Sequence, residues 1–79
     1  MNGHETPYVY EIRPSKNGGG FQLTSDVLLS GPLWYTRVQQ AIGFAKFYSR
    51  SNEAVIRVYD ATEKLIEVHR HKGDVEDNA

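Results

Sequence analysis

Apolar residues recur at three- and four-residue steps between Thr36 and Asn52, the spacing of an α-helix that packs one side against a core. This stripe comprises Val38, Ala41, Ile42, Ala45 and Tyr48, with Phe44 beside it. Thr36 at the N-cap and Gln39 three residues later indicate a capping box. Asn52 tolerates the left-handed conformation that closes many helices. The pattern therefore predicts a single helix over residues 36–52.

Alternating inward and outward residues predict a first strand from Tyr8 to Arg13, with its tyrosines facing the core. A glycine-rich loop over residues 14–20 follows. Its Asn17-Gly18 pair is of the type that supplies the positive φ angles of tight hairpin turns. We therefore expect a β-hairpin whose second strand begins at Phe21.

Three further strands are predicted on either side of the helix. The short apolar run from Val27 to Ser30 predicts the third strand, and Leu33 to Tyr35 then leads into the helix. After the helix, the β-branched run from Ala54 to Tyr59 predicts the fourth strand. A turn over Asp60 to Glu63 and the segment from Lys64 to His69 predict a fifth strand that completes a hairpin with the fourth.

The predicted order is β-β-β-α-β-β, which indicates a two-layer α+β fold with the helix on one face of a mainly antiparallel sheet. A helix of about 21 Å matches strands of about 20 Å, so it can cover one face and leave the other open. Chain order permits more than one arrangement of the strands. We expect a flexible N-terminus over residues 1–6, one domain over 7–71 and a disordered acidic tail over 72–79.

Several short motifs resemble those of small bacterial families of unknown function, loosely the YegP-like group. They are YEIRP, NGGGF, the SGP turn, and the helix with its final hairpin, and the resemblance covers about Tyr8 to Arg70. The chain departs from that pattern at Leu33 to Tyr35, which is aromatic where a polar entry into the helix is expected. The resemblance implies a fold and a bacterial source, and no activity.

Composition narrows the classes of protein that fit this chain of 79 residues. Nine basic and ten acidic residues, with a sequence pI near 6.3, disfavour a strongly electrostatic partner. The absence of cysteine excludes disulfides and thiolate metal sites and fits a reducing cytoplasm. The first residues resemble no signal peptide, and the longest aliphatic run is too short for a membrane span. We therefore expect a cytoplasmic protein without membrane contact.

No set of residues has the pattern of a catalytic or cofactor site. The NGGGF sequence lacks the Gly-Lys-Ser/Thr and the following helix of a phosphate-binding loop. His69 and His71 share one side of a strand, a spacing that a metal ion can use, but no third ligand accompanies them. No nucleophile lies beside a recognisable base. We expect no catalytic residues, no metal site, no cofactor and no enzymatic activity.

The open sheet face offers a first candidate binding surface. Its predicted members are Val9, Glu11, Arg13, Gln22, Thr24, Val55, Arg57, Tyr59, Leu65, Glu67 and His69. Arg13, Arg57, Tyr59 and His69 among them have the charge and stacking groups of a single-stranded nucleic-acid platform. Near-neutral net charge makes this the alternative hypothesis.

A second candidate surface combines Trp34, Tyr35, Gly43 and Phe47, because aromatic residues are enriched at protein interfaces. Gly43 lies one turn from Phe47 on the polar side of the predicted helix, where it makes a shelf that another backbone can approach. In the competing arrangement, Phe47 folds over the hairpin loop or packs on Trp34. The leading hypothesis is a non-catalytic protein-interaction module or homodimer.

Overall fold

In the computed structural model, which describes residues 7–73, one helix packs on one face of a five-stranded mixed sheet. The elements are β1 (Tyr8–Pro14), β2 (Phe21–Ser25), β3 (Leu33–Tyr35), α1 (Val38–Ser49), β4 (Ala54–Tyr59) and β5 (Leu65–His71). The predicted α+β class and the order β-β-β-α-β-β are confirmed. The expected flexible segment 1–6 lies outside the described residues, as does the predicted acidic tail beyond Gly73.

The strands lie in the spatial order β3-β2-β1-β4-β5, an order that the sequence pattern left open. Three neighbouring pairs are antiparallel, while β1 and β4 run parallel. The parallel pair arises because the helix carries the chain back along the sheet before β4 joins the free side of β1. The first strand is therefore the centre of the sheet, and β3 and β5 form its two edges.

The core lies between the helix and the inner side of the central strands. Its buried members are Tyr10, Ile12, Leu23, Ala41, Ala45, Ala54, Ile56 and Val58. The predicted tyrosine side of β1 and the two helix alanines are among them. Val38, Ile42 and Phe44 pack partly buried against this core. Tyr48 was expected on the same stripe, but it is 45% exposed, and the buried position near the helix end belongs to Ser49.

Ser49 is a buried polar residue that the apolar pattern does not reveal. Its hydroxyl lies 2.7 Å from the hydroxyl of Tyr10, and both residues are fully buried. Burial raises the pKa of Tyr10, while the hydrogen bond to Ser49 acts in the opposite direction. This bond connects the end of the helix to the central strand and satisfies two polar groups that are shielded from water.

The third strand is the clearest correction to the sequence prediction. Residues 27–30 form turns, in which the Leu28 N–H donates to the Ser25 carbonyl over 3.1 Å. The strand lies instead at Leu33–Tyr35, which pairs with β2. Leu33 and Tyr35, the two ends of this three-residue strand, pack against the core. Leu29, in the turn that was predicted to be a strand, is 94% exposed. The apolar run was wrongly predicted as a strand because Val27 and Leu28 pack partly buried against the core from within a turn. The Tyr48 hydroxyl donates to the Val27 carbonyl over 3.3 Å and links this turn to the helix.

The helix begins one residue later than the predicted cap and ends earlier than expected. Arg37 is the N-cap, and its backbone N–H donates to the side-chain Oε1 of Gln40 over 3.1 Å. The Thr36 hydroxyl donates to the same oxygen over 3.0 Å. Gln40, rather than Gln39, is therefore the capping amide. At the other end Asn52 is not in the left-handed region, since Glu63 is the single non-glycine residue with positive φ among residues 7–73.

The hairpin loop between β1 and β2 reaches its positive φ angles through glycine alone. Gly18 has φ 76°, while Asn17 has no positive φ and uses its side chain instead. The Asn17 Oδ1 accepts the Gly19 N–H over 3.0 Å and the Ser15 hydroxyl over 2.8 Å. Gly20 has a different role, because a Cβ atom there would lie 2.5 Å from the carbonyl oxygen of Tyr35. Its missing side chain allows the loop to approach β3.

Candidate functional site

The side of the sheet away from the helix, here called the open face, is defined by the register of the strands. Its side chains are Val9, Glu11, Arg13, Gln22, Thr24, Trp34, Val55, Arg57, Tyr59, Leu65, Val68 and Arg70. Residues directly opposite each other on neighbouring strands point to the same side of the sheet, and side chains alternate along each strand. A residue next to a buried core residue therefore lies on the open face. The remaining side is called the helix face.

Arg13 is the most highly coordinated charge on the open face. Its Nη1 lies 2.8 Å from a carboxylate oxygen of Glu11, and its Nε lies 3.0 Å from both carboxylate oxygens of Glu63. Its guanidinium carbon is 4.3 Å from the centre of the Tyr59 ring, within cation–π range. The hydrogen bonds to Glu11 and then to Glu63 raise the pKa of Arg13. Two carboxylates thus neutralise this cation and leave little net charge for an outside anion.

A groove of about 800 Å³ lies next to Arg13 at one end of the open face. The β1–β2 loop and the β4–β5 turn form its sides, and Trp34 is part of its wall. The turn is built by Asp60, whose Oδ1 accepts the Thr62 hydroxyl over 2.7 Å and the Lys64 N–H over 3.0 Å. The hydrogen bond from the Thr62 hydroxyl is the main cause that lowers the pKa of Asp60. These bonds set the start of β5.

The predicted nucleic-acid platform is divided between the two faces. Arg13, Arg57 and Tyr59 lie on the open face, but His69 pairs with the core residue Ile56 and therefore lies on the helix face. A bulge between Val58 and Tyr59 is the reason. It inserts one extra residue on β5, so Leu65 shares the side of Tyr59 while Glu67 and His69 turn to the other side. The expected positions of Glu67 and His69 were wrong on this account.

The predicted protein-binding patch is divided as well. Trp34 pairs with Gln22 on the open face and is 59% exposed. Tyr35 lies on the helix face, where its ring centre is 6.2 Å from that of Phe44 and burial raises its pKa. Gly43 and Phe47 are on the outer surface of the helix. The four residues therefore do not form one continuous patch.

Phe47 is exposed and does not belong to the core. Its side chain is 63% exposed, and the guanidinium carbon of Arg50 lies 5.2 Å from its ring centre. A Cβ atom at Gly43 would have no neighbour within 4 Å, so the shelf beside Phe47 is open. The structure thus decides between the two arrangements that the sequence allowed, in favour of exposure.

The outer edge of the sheet at β5 is a surface that the sequence analysis missed. No other strand of residues 7–73 pairs with that edge, so alternate N–H and C=O groups along its seven residues point outward. Leu65, Ile66 and Val68 on this strand are 46%, 53% and 45% exposed. The adjacent Leu65-Ile66 pair, which breaks the alternation, was the available signal for a bulge that changes which side chains share a face.

The two histidines of β5 have partners on the helix face. The Nε2 atom of His69 lies 2.9 Å from a carboxylate oxygen of Glu67, and Nε2 of His71 lies 3.2 Å from the Arg50 carbonyl oxygen. Within residues 7–73, no three histidine, aspartate or glutamate side chains are grouped as metal ligands are. His69 thus contacts its own strand, while His71 links β5 to the end of the helix.

Comparison with known proteins found no matching family model, curated protein or solved structure. The resemblance to the YegP-like group therefore stays a prediction. The helix of residues 38–49, which is the one helix in the described part of the chain, is too short to cross a membrane.

Proposed function

We propose that this chain is a small non-catalytic protein-interaction module that binds its partner by strand addition along β5. The observation that carries the proposal is the seven-residue edge strand with three exposed aliphatic side chains. A strand of this kind offers main-chain hydrogen bonds for affinity and alternating side chains for specificity. The cysteine-free composition of the chain fits a cytoplasmic location.

The exposed aliphatic residues of β5 support a docking role because they lie along the outer edge of the sheet, where a partner strand would pair. Val68 pairs with Arg57 on β4, and Leu65 pairs with Tyr59. Val9 is exposed to 38% on the same face, but it lies on the central strand, two strands away from β5 and outside the reach of an added strand. Long edge strands with exposed apolar residues are normally shortened, covered or blocked in monomers, since they attract other strands. A partner strand satisfies the outward backbone groups and covers these side chains.

Single-stranded nucleic acid has less support as the ligand. Glu11 and Glu63 neutralise Arg13, and the same guanidinium covers the Tyr59 ring on which a base would stack. Among the four predicted residues, Arg57 is the exposed cation that keeps its place on the open face. Binding of this kind depends on uncompensated positive charge and on accessible aromatic rings.

The experiment selects ligands from a random peptide library and maps them by ¹⁵N–¹H spectra and amide hydrogen exchange. We expect extended peptides that shift and protect the amides of β5. Val68→Lys should weaken binding at least tenfold, whereas Val9→Lys should not. The control is matched because both valines lie on the open face with similar exposure, 45% and 38%, but Val9 is in the central strand.

Two results would contradict the proposal. In one, selected peptides shift the helix or the Arg13 groove and leave β5 unprotected. In the other, a pool of single-stranded oligonucleotides binds with salt-dependent shifts at Arg57 and Tyr59, which would favour the nucleic-acid hypothesis.

A further inference from the structure

We infer that the strand that docks on β5 is β5 of a second copy of this chain, antiparallel and centred on Val68. This inference rests on the proposed strand addition and names its partner. The resulting dimer has a continuous sheet of ten strands, with both helices on the same side.

Symmetry limits the ways in which two copies can pair. A two-fold axis relates two antiparallel edge strands only when it is perpendicular to the sheet, so the helix face of one copy continues into the helix face of the other. Residues directly opposite each other must then share a face. In such a pairing, one residue at the centre always lies directly opposite the same residue of the second copy. For a strand from Leu65 to His71, Val68 is the middle residue, and the pairing in this register runs over residues 66–70. It ends at the bulge, because beyond it Leu65 and the opposite residue His71 lie on different faces.

The register centred on Val68 also brings complementary side chains together. On the helix face, Glu67 lies opposite His69 of the second copy. On the open face Val68 meets Val68, while Ile66, the extra residue of the bulge, lies opposite Arg70 and can pack on its aliphatic stem. The pair Glu67–His69 already forms within one chain at 2.9 Å. In the dimer the two carboxylates and two imidazoles occupy alternate corners of a square, so each carboxylate has an imidazole on both sides.

Neighbouring registers are less favourable. A register centred on Glu67 places two carboxylates directly opposite each other, and one centred on His69 does the same with two imidazoles. The register centred on Glu67 also shortens the pairing to residues 66–68, because the bulge puts Leu65 and the opposite residue His69 on different faces. In the Val68 register, Lys64 lies opposite Lys72, but both flank the strand, and their flexible side chains can diverge into water. Charge therefore favours the Val68 register over both neighbours, and overlap favours it over the register centred on Glu67.

Sedimentation equilibrium of the full chain across protein concentration tests the inference, with Glu67→Arg and His69→Glu as paired variants. Alone, the first places an arginine opposite His69, and the second places two carboxylates opposite each other. We expect wild-type protein to dimerise and each variant to dimerise at least tenfold more weakly. An equimolar mixture should restore a heterodimer, because the introduced arginine then meets the introduced glutamate, while the unchanged His69 meets the unchanged Glu67. Val9→Lys serves as the control that leaves the dimer intact.

Cysteine cross-linking tests the register independently, since the chain has no cysteine of its own. Val68→Cys should form a disulfide dimer under mild oxidation, because identical residues meet only at the centre of the pairing. Arg70→Cys alone should not, while a mixture of Arg70→Cys and Ile66→Cys should. Cross-linking of Arg70→Cys alone would overturn the register.

Different results separate this inference from the proposed function. A wild-type chain that stays monomeric at millimolar concentration, but whose β5 amides are protected by selected peptides, overturns the second copy as partner and keeps strand addition. A dimer that Glu67→Arg leaves unchanged also overturns the inference. If neither a second copy of the chain nor a selected peptide protects the amides of β5, both proposals are overturned. Amide spectra of each variant at low concentration verify that its fold is retained.

Discussion

The two edges of this sheet differ in length and in exposure. At one edge, β3 has three residues, follows Pro32 and runs directly towards the helix. At the other edge, β5 has seven residues. A short strand next to proline offers few groups for further pairing. The comparison indicates that one edge of the fold is closed to other strands while the opposite edge is available.

Side-chain burial follows the same division. On β3, Leu33 and Tyr35 pack against the core. On β5, Leu65, Ile66 and Val68 remain close to half exposed. The helix packs mainly over the four strands β1 to β4, because it starts beside β3 and crosses the central strands before the chain reaches β4. One helix is too narrow to cover five strands, so the last strand added lies beyond its cover.

The largest expected effect is a loss of unfolding free energy when a side chain that packs in or against the core near each edge is truncated. Ile56 is fully buried and pairs with β5, so Ile56→Ala should lower the free energy of unfolding by about 2–5 kcal/mol. Leu33 on β3 is only partly buried, and Leu33→Ala should cost about 1–2 kcal/mol. Urea denaturation monitored by Trp34 fluorescence measures both. Equal losses of unfolding free energy in the two variants would show that both edges depend on the core to the same extent.

The link between the helix end and the central strand has the next largest effect. Ser49→Ala leaves the buried Tyr10 hydroxyl without its partner, so unfolding free energy should fall by about 1–3 kcal/mol. The double variant Tyr10→Phe with Ser49→Ala should lose less than the sum of the single variants, because it removes both polar groups. Strict additivity in urea denaturation would contradict a direct hydrogen bond.

Self-association should depend on one edge only. Val68→Lys should weaken it at least tenfold, about 1.4 kcal/mol, since two lysines then face each other at the centre of the pairing. Trp34→Ala removes the largest exposed side chain of β3, at 59% exposed, and should leave association unchanged. Sedimentation equilibrium compares the two variants. A stronger effect of Trp34→Ala on association would show that the interface lies at β3, the opposite edge.

The smallest expected effect is the pH dependence of the turn that starts β5. The pKa of Asp60 is lowered in the folded state from its ordinary value of 3.8, mainly by the Thr62 hydroxyl. The unfolded chain therefore binds this proton more readily. The carboxylate stabilises the fold in full above about pH 4, and this contribution is lost as the pH falls through the lowered pKa. Unfolding free energy should fall as pH decreases below about 4, and Asp60→Asn should reduce that slope. An unchanged slope in the variant would show that other carboxylates cause the dependence.

Much of the helix and of the central sheet was predictable because each depends on local periodicity. Alternation placed Tyr10 and Ile12 in the core, and three- and four-residue spacing placed Ala41 and Ala45 there. Periodicity did not identify Ser49, because a polar residue is buried only when a distant partner such as Tyr10 meets it. The candidate site was predicted less well, since Trp34 and Phe47 proved to lie on opposite sides of the sheet.

The sequence by itself determined the α+β class, the number of strands and the inner residues of the core, since these follow from side-chain period and turn chemistry. Tertiary structure alone decided that β4 pairs parallel with β1, that Leu33–Tyr35 is the third strand, and that the bulge turns His69 to the helix face. Strand neighbours depend on long-range backbone hydrogen bonds, which leave no periodic trace in the chain. A single inserted residue then exchanges the two faces of a strand, so the exposed surface of β5 became visible only with its register.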